Sequence, residues 1–340
     1  MHIHSPKYSI KKTLFENPIK YLTKPSILLA YCIAIFTTQS ALAANTWEHA
    51  TSDWWMSFNS GLKESALTIN VLSFDTNRTI YTGTNEGAYK SKDGGTSWAA
   101  INNGLPRQGD TVQSITALSL DANGNIYAVA VDGIYKSNNG GSSWIHASSS
   151  LHDTVKALCI DVSGNVYAGT NAGVYRSNDG GHTWVETNSG LPEEAKKIHS
   201  LRHDTAGNIY AVTASGVYKS SNSGAYWMPI SNSLPKFPVT AFSIDSRGNF
   251  HIGTHGGGVF KSIDGGNSWI AVNSGLAKRT LNIRTLTVDA NGNIYAGTEE
   301  GVYKSNNGSS YWMGINRGLT NPEIITTLNI DTGGTVYAGT

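Results

Sequence analysis

Cysteine is almost missing from this chain: two residues in 340, Cys32 and Cys159. No disulfide framework can organise it. Charge is equally sparse. Asp, Glu, Lys and Arg make up 14% of the residues, 25 basic against 24 acidic, and nothing in that balance points to a nucleic-acid partner. Gly-x-Ser-x-Gly, His-Glu-x-x-His and P-loop patterns are absent, so the nucleophile elbow, the zincin helix and the Walker-type phosphate cradle are excluded. The apolar run Ser26 to Phe36 is too short to span a bilayer comfortably.

That run sits inside a targeting pattern. Lys7, Lys11, Lys12, Lys20 and Lys24 form a basic leader, and Ala41-Leu42-Ala43 supplies a small-x-small cleavage site. Residues 1–43 therefore read as a signal peptide, with retention as an anchor the alternative, and 44–340 as the exported chain, periplasmic or secreted. Tyr31 precedes Cys32 where a lipoprotein signal needs a small residue. Removing residues 1–43 takes away five lysines and one glutamate, leaving 20 basic and 23 acidic side chains. Cys159 then stands alone in the apolar pattern Val155 to Ile160, as a buried small hydrophobe rather than a nucleophile.

What the chain does have is a repeat. Ser-x-Asp-x-Gly-x-x-Trp stands intact at Ser91 to Trp98, Ser177 to Trp184 and Ser262 to Trp269, with degenerate copies ending at Trp144, Trp227 and Trp312. From Trp55 onward the tryptophans are 43, 46, 40, 43, 42 and 43 residues apart. A second motif, a turn opening on Asp, recurs at Asp75, Asp121, Asp161, Asp204, Asp245, Asp289 and Asp331. Short β-rich runs punctuated by Gly, Asn and Asp at this period predict four strands per unit, which means a β-propeller. Strand one pairs a bulky column (Leu72, Leu118, Leu158, Leu201, Phe242, Leu286, Leu328) with a small one on the opposite face, as crowding near an axis requires. Most tyrosines fall in two strand columns and six of nine tryptophans close the boxes. The aromatics therefore read as packing between sheets rather than as a sugar platform.

The repeat units fall near 69–111, 115–154, 155–197, 198–238, 239–282 and 283–324. The final piece, 325–340, holds only strands one and two. Trp55-Met-Ser-Phe-Asn-Ser-Gly-Leu62 aligns with Trp312 to Leu319, so residues 46–62 are expected to supply the outer half, with strand three from Thr46 to Thr51. The prediction is an all-β chain forming a single seven-bladed β-propeller of four-stranded blades, the seventh blade closed by both termini. The alternative is that the chain is a piece of something longer.

Tyr167 to Trp184 closely resembles the Asp-box, or BNR, repeat. That repeat occurs in sialidases, xyloglucanase-type glycoside hydrolases, sortilin-type receptors and photosystem II assembly factors of the Ycf48 type. The resemblance implies the fold over nearly the whole exported chain and leaves the chemistry open. The Arg-Ile-Pro motif of sialidases is missing, and only eight arginines are present. The length suits one propeller, where the xyloglucanase type uses two. The cysteine-rich module of the sortilin type is absent. The assembly-factor type fits best in size and export signal.

Topology places the one-to-two turns and the boxes on one rim, and the two-to-three loops and blade linkers on the other. The first rim is repetitive. The second is irregular, and specificity is expected there. Five residues before the turn Asp stand Asn70, Thr116, Lys156, His199, Thr240, Arg284 and Thr326. Lys156, His199 and Arg284, with Arg279 nearby, are the candidates for an anion-receptive ring around the central opening. His255, Glu299 and Glu300 are further ligand-binding candidates from the short loops. His251 and His255 lack a third ligand for a metal site, and no cofactor is expected. The leading reading is a monomeric, non-catalytic exported scaffold binding a protein or glycan through the irregular rim, with no membrane span in the exported chain. The alternatives are a glycoside hydrolase of the sialidase/xyloglucanase group and a carbohydrate-binding propeller.

Overall fold

A computed structural model describes residues 10–12, 33–35 and 55–340, apart from 58–59, 63–67, 149, 152, 309–310 and 320–323. It is a β-propeller of six four-stranded blades, not seven. Their first strands are Ile69–Phe74, Ala117–Leu120, Val155–Ile160, Ile198–His203, Val239–Ile244 and Ile283–Val288. Each blade is an antiparallel meander running one to four in chain order. Strand two is buried along its whole length in every blade, because it lies mid-sheet with a neighbouring blade on each face. Strand four, only two residues long, is exposed. A very short edge strand limits pairing with other chains.

The expected seventh blade is replaced by a sheet of different make-up. Thr327–Ile330 pairs with Val336–Gly339, but the sheet has five strands. The other three are Ile10–Lys12, Ile33–Ile35 and Met56–Ser57. Both of the first two pair with Val336–Gly339, and Met56–Ser57 pairs with Ile10–Lys12. The expected third strand, Thr46 to Thr51, lies outside the described residues, as does most of the signal peptide. The periodicity misled here because strand partners drawn from residues before 43 carry no repeat signature. The sheet nevertheless meets the first blade: Thr326 Oγ1 donates to the Ile69 carbonyl at 2.9 Å and Asn329 Nδ2 to that of Leu72 at 3.0 Å.

Both recurrent motifs are hydrogen-bond hubs. In the one-to-two turn of blade three, Asp161 Oδ1 accepts the Ser163 and Asn165 amides, each at 2.9 Å, and Oδ2 accepts Asn165 Nδ2 at 2.8 Å and the Tyr167 hydroxyl at 3.0 Å. In the box of blade five, Ser262 Oγ accepts the Gly266 amide at 2.8 Å while Asp264 accepts the Ser268 amide and hydroxyl. The Ser268 hydroxyl bond, followed by the Ser268 amide and the Ser262 hydroxyl, holds the Asp264 carboxyl down at about 2. Blades two and four use Asn139 and Asn222 at this position, each accepting the corresponding amide at 2.9 Å.

The box tryptophan joins consecutive blades. Trp227 is fully buried. Its amide donates to the Ser189 carbonyl of the preceding linker at 2.8 Å, and its indole N–H donates to the Thr187 carbonyl at 2.6 Å. Trp144 and Trp312 repeat both bonds. Trp55 bonds in the same way to Arg317 and Ile315 of blade six. The approach requires glycine in the linker. A Cβ on Gly190, whose φ is +88°, would overlap the Trp227 carbonyl oxygen. Gly61, Gly104, Gly275 and Gly318 abut Trp98, Trp144, Trp312 and Trp55 in the same way. Two linkers break the rule with Ser150 and Ser233, and the tryptophans they face, Trp184 and Trp269, are only half-buried.

Two outcomes follow for stability. Gly190→Ala combines a left-handed backbone with a backbone overlap and should cost about 2–4 kcal/mol, read as a fall in chemical denaturation midpoint at unchanged slope. Asp264→Asn should be nearly silent, because blades two and four already use Asn. Asp264→Ala should lower Tm by about 2–4 °C; equal effects of the two substitutions would contradict the hub role.

Candidate functional site

Strand one reaches the irregular rim through a bulge. In blades one, three, four, five and six the pairing register slips across one residue. The skipped residues are Asn70, Lys156, His199, Thr240 and Arg284, five of the seven in the sequence column. A bulge leaves a residue out of the ladder and re-aims its side chain. Three members tie neighbouring first strands together. Thr240 Oγ1 donates to the Ile283 carbonyl, Thr326 Oγ1 to that of Ile69, and Asn70 Nδ2 to that of Ile115.

The basic members divide into two kinds. Arg284 is paired with Glu299 at 2.8 Å, and Arg279 with Glu300 at 2.7 Å. Hydrogen bonding by Arg284 holds Glu299 below the usual glutamate value, against the opposing effect of burial. The Arg284 charge and a side-chain hydrogen bond from Asn282 act on Glu299 in the same direction. His255 pairs through its backbone with Asn282. Five of the seven candidates, His255, Arg279, Arg284, Glu299 and Glu300, therefore gather where blades five and six meet the rim. Lys156 and His199 stand on blades three and four, exposed and without a hydrogen-bond or ion-pair partner among the described residues.

The other rim carboxylates also have local duties. Asp153 accepts the Tyr175 hydroxyl at 2.6 Å, Asp132 accepts that of Tyr135 at 2.8 Å, and Glu193 pairs with Lys196 at 2.5 Å. The linkers add relief to this rim: a small hairpin of Arg107–Gln108 with Thr111–Val112, and 3-10 turns at Glu193–Ala195 and Lys278–Thr280. Among the described residues no group of three or more His, Cys, Asp and Glu side chains is arranged to hold a metal ion. No helix among them is long and apolar enough to cross a membrane. Cys159 is buried, and burial pushes its thiol up to about 12, which leaves it unreactive at neutral pH.

Two features of the repetitive rim were not marked out as functional by the sequence. An open cleft of about 790 Å3 lies between blades four and five, lined by His203, Asp204, Tyr210, Lys219, Asp245 and Phe250 among others. On the opposite face of the same strand as Phe250, His251 replaces the tyrosine of its column, in register with Lys261, whose Nζ reaches Gly308 of blade six. It is fully buried, with Nε2 at 3.4 Å from Asp245 Oδ2 and Nδ1 unpartnered. The signals for the cleft were Ser233 in place of a linker glycine, and Phe242 and Phe250 as column exceptions. Nothing along the chain shows that these three meet in one seam.

Compared with known proteins, this chain matches no protein-family model and no curated protein sequence. Solved structures do resemble it. The extracellular domain of a putative one-component system from B. thetaiotaomicron superposes with a TM-score of 0.67 at 20% identity, covering 83% of this chain and 38% of that one. The GH74 xyloglucanase from Xanthomonas campestris gives 0.64 at 16%, covering 78% and 50%. YCF48, solved bound to a D1 peptide, gives 0.62 at 17%, covering 81% and 93%. At such identities the likeness establishes the propeller fold, not its chemistry.

Burial lowers the His251 pKa, and Asp245 only partly offsets it. The folded value therefore lies below the unfolded one, near 6.5. The stability contribution is full above that value and is lost as pH falls through and beneath it. Melting between pH 7 and pH 5 should show a larger loss of Tm in the natural protein than in His251→Tyr, which restores the residue of the column. Parallel curves would rule the histidine out as the source.

Proposed function

We propose that this chain is an exported, non-catalytic Asp-box propeller that holds a protein partner on its irregular rim, near the central opening. The observation that carries the reading is the bulged column. Lys156 and His199 are presented there with no intramolecular partner, beside the paired Arg279, Arg284, Glu299 and Glu300. Charged groups that a fold leaves unpaired at the mouth of a rigid ring suit recognition and steering of a complementary surface. YCF48, a propeller that this chain spans at 93% of its length, has been solved with a peptide bound, which makes a peptide or protein partner the preferred class. The segment 1–43 acts as the export signal and 44–340 as the working monomer; cleavage there removes Ile10–Lys12 and Ile33–Ile35 from the terminal sheet and leaves Thr327–Ile330 paired with Val336–Gly339.

A glycoside hydrolase is the second reading, supported by the likeness to the xyloglucanase. A general acid needs a carboxyl whose pKa is raised. Glu299 is shifted the other way, and Glu300 is held by Arg279. Asp153 and Asp132 are bound by tyrosine hydroxyls.

The test replaces the two unpaired side chains, Lys156 and His199. Lys156→Glu/His199→Glu should keep the Tm of the natural protein and reduce capture of its partner, read by quantitative crosslinking, by about tenfold or more. Unchanged capture would remove the ring as the site. Hydrolysis of a chromogenic glycoside, abolished by Glu300→Gln, would replace the scaffold reading with the enzymatic one.

A further inference from the structure

Strand three of each blade carries a cation in register with the strand-two tyrosine, or in blade five with His251. At three seams that cation bonds the next blade's box. Lys90 Nζ donates to the Gly140 carbonyl at 2.7 Å, an Arg176 guanidinium nitrogen to that of Ser223 at 3.1 Å, and Lys261 Nζ to that of Gly308 at 3.3 Å. Each of these seams has a glycine in its linker: Gly104, Gly190 or Gly275. The seam between blades four and five has Ser233 instead. There the Trp269 amide makes no bond to the linker. Ser233 Oγ donates to the Asn267 carbonyl at 3.1 Å in its place. Lys219 Nζ has no acceptor among the described residues and stands 5.9 Å above its own Tyr210 ring.

The seam is also propped open from within. Phe242 occupies a column that is otherwise Leu, and Phe250 one that is otherwise Ile or Val. Their rings lie 5.4 Å apart, with Phe250 5.5 Å from Tyr210 and 6.5 Å from Trp269. Added ring volume on the inner side and a serine on the outer side both push the two blades apart. The result is the cleft of about 790 Å3, continuous past Lys219 and Gly265 with an outer recess of about 380 Å3 that includes Met228 and Ile230.

We infer that this seam is a binding site, separate from the irregular rim, for a small monocarboxylate with an apolar body. Its carboxylate takes the place at Lys219 Nζ that a backbone carbonyl fills at the closed seams. His203 lies on the wall of the same cleft, its Nδ1 donating to the Asp204 carbonyl at 3.3 Å. The apolar body lies along Phe250. Asp204 and Asp245 set the limit on ligand charge. Each is already satisfied by its own turn: Asp204 accepts from the Ala206 and Asn208 amides, Asn208 Nδ2 and the Tyr210 hydroxyl, and Asp245 from the Arg247 and Asn249 amides and Asn249 Nδ2. Their negative charge remains, and it opposes phosphates and polyanions more strongly than a single carboxylate. The cleft volume falls within the range of small-molecule sites.

Benzoate is the probe. Saturation-transfer NMR at millimolar concentration should detect it on the full chain, with affinity weakened about tenfold or more in Lys219→Met by loss of a charge-assisted hydrogen bond. Lys156→Met on the irregular rim and Lys136→Met at another seam should leave binding unchanged, and inorganic phosphate should not displace it. Ser233→Gly supplies the residue of the closed seams. It should abolish binding and shift Trp269 fluorescence to shorter wavelength, with no loss of Tm. Absence of binding to the natural protein, or binding indifferent to Lys219→Met, overturns the proposal. Neither outcome bears on partner capture by the irregular rim.

Discussion

A tryptophan anchored in the neighbouring blade is the contact from which the rest of this molecule follows. At seams with a linker glycine the box indole is buried and spends both its own N–H and its backbone N–H on carbonyls of the preceding linker, as Trp144, Trp227 and Trp312 do. Burying so large a side chain stabilises the seam by on the order of 2–3 kcal/mol. The paired N–H bonds fix where the blade sits, because an unbonded donor in that environment is costly. Repeated around the ring, the contact makes stability a matter of nearest neighbours. It also explains why glycine recurs in the linker: nothing larger lets two backbones come that close.

This constraint separates the two rims. On the rim of turns and boxes, carboxylates such as Asp161 and Asp264 are saturated by their own loops, and their recurrence serves hairpin geometry. On the opposite rim the linkers leave the tryptophan and are free to differ, so it carries a hairpin after blade one, 3-10 turns before blades four and six, and the bulges of strand one. The irregular rim is where the repeat stops constraining the chain. The seams at Ser150 and Ser233 are the exceptions on the repetitive side, because there the stitch itself is altered, and the second of them also carries Phe242 and Phe250.

The repeat made most of the fold legible. The spacing of Trp98, Trp144, Trp184, Trp227, Trp269 and Trp312 marks the blades, and the Asp turns mark the hairpins inside them. The column holding Lys156, His199 and Arg284 was also visible, although its bulge was not, since a register slip depends on hydrogen bonds to a second strand. The pairing of Arg284 with Glu299 and of Arg279 with Glu300 was equally hidden: both carboxylates and both cations had been noted, but separately. The fourfold strand count failed at the terminal sheet. Its strands from Ile10–Lys12 and Ile33–Ile35 belong to no repeat, so periodicity had nothing to say about them.

The amino-acid sequence alone determined that this is a propeller, which residues are scaffold, and which rim is irregular. Those are properties of period and local turn chemistry, and both are written along the chain. Only the tertiary structure decided the number of complete blades, the neutralisation of half the basic ring, and the opening of one seam around Lys219. Each depends on which residues distant in sequence come within bonding distance. Whether a lysine meets a carbonyl or is left without one is set by the width of a seam, and that width is the joint outcome of Ser233, Phe242 and Phe250 acting from three different segments.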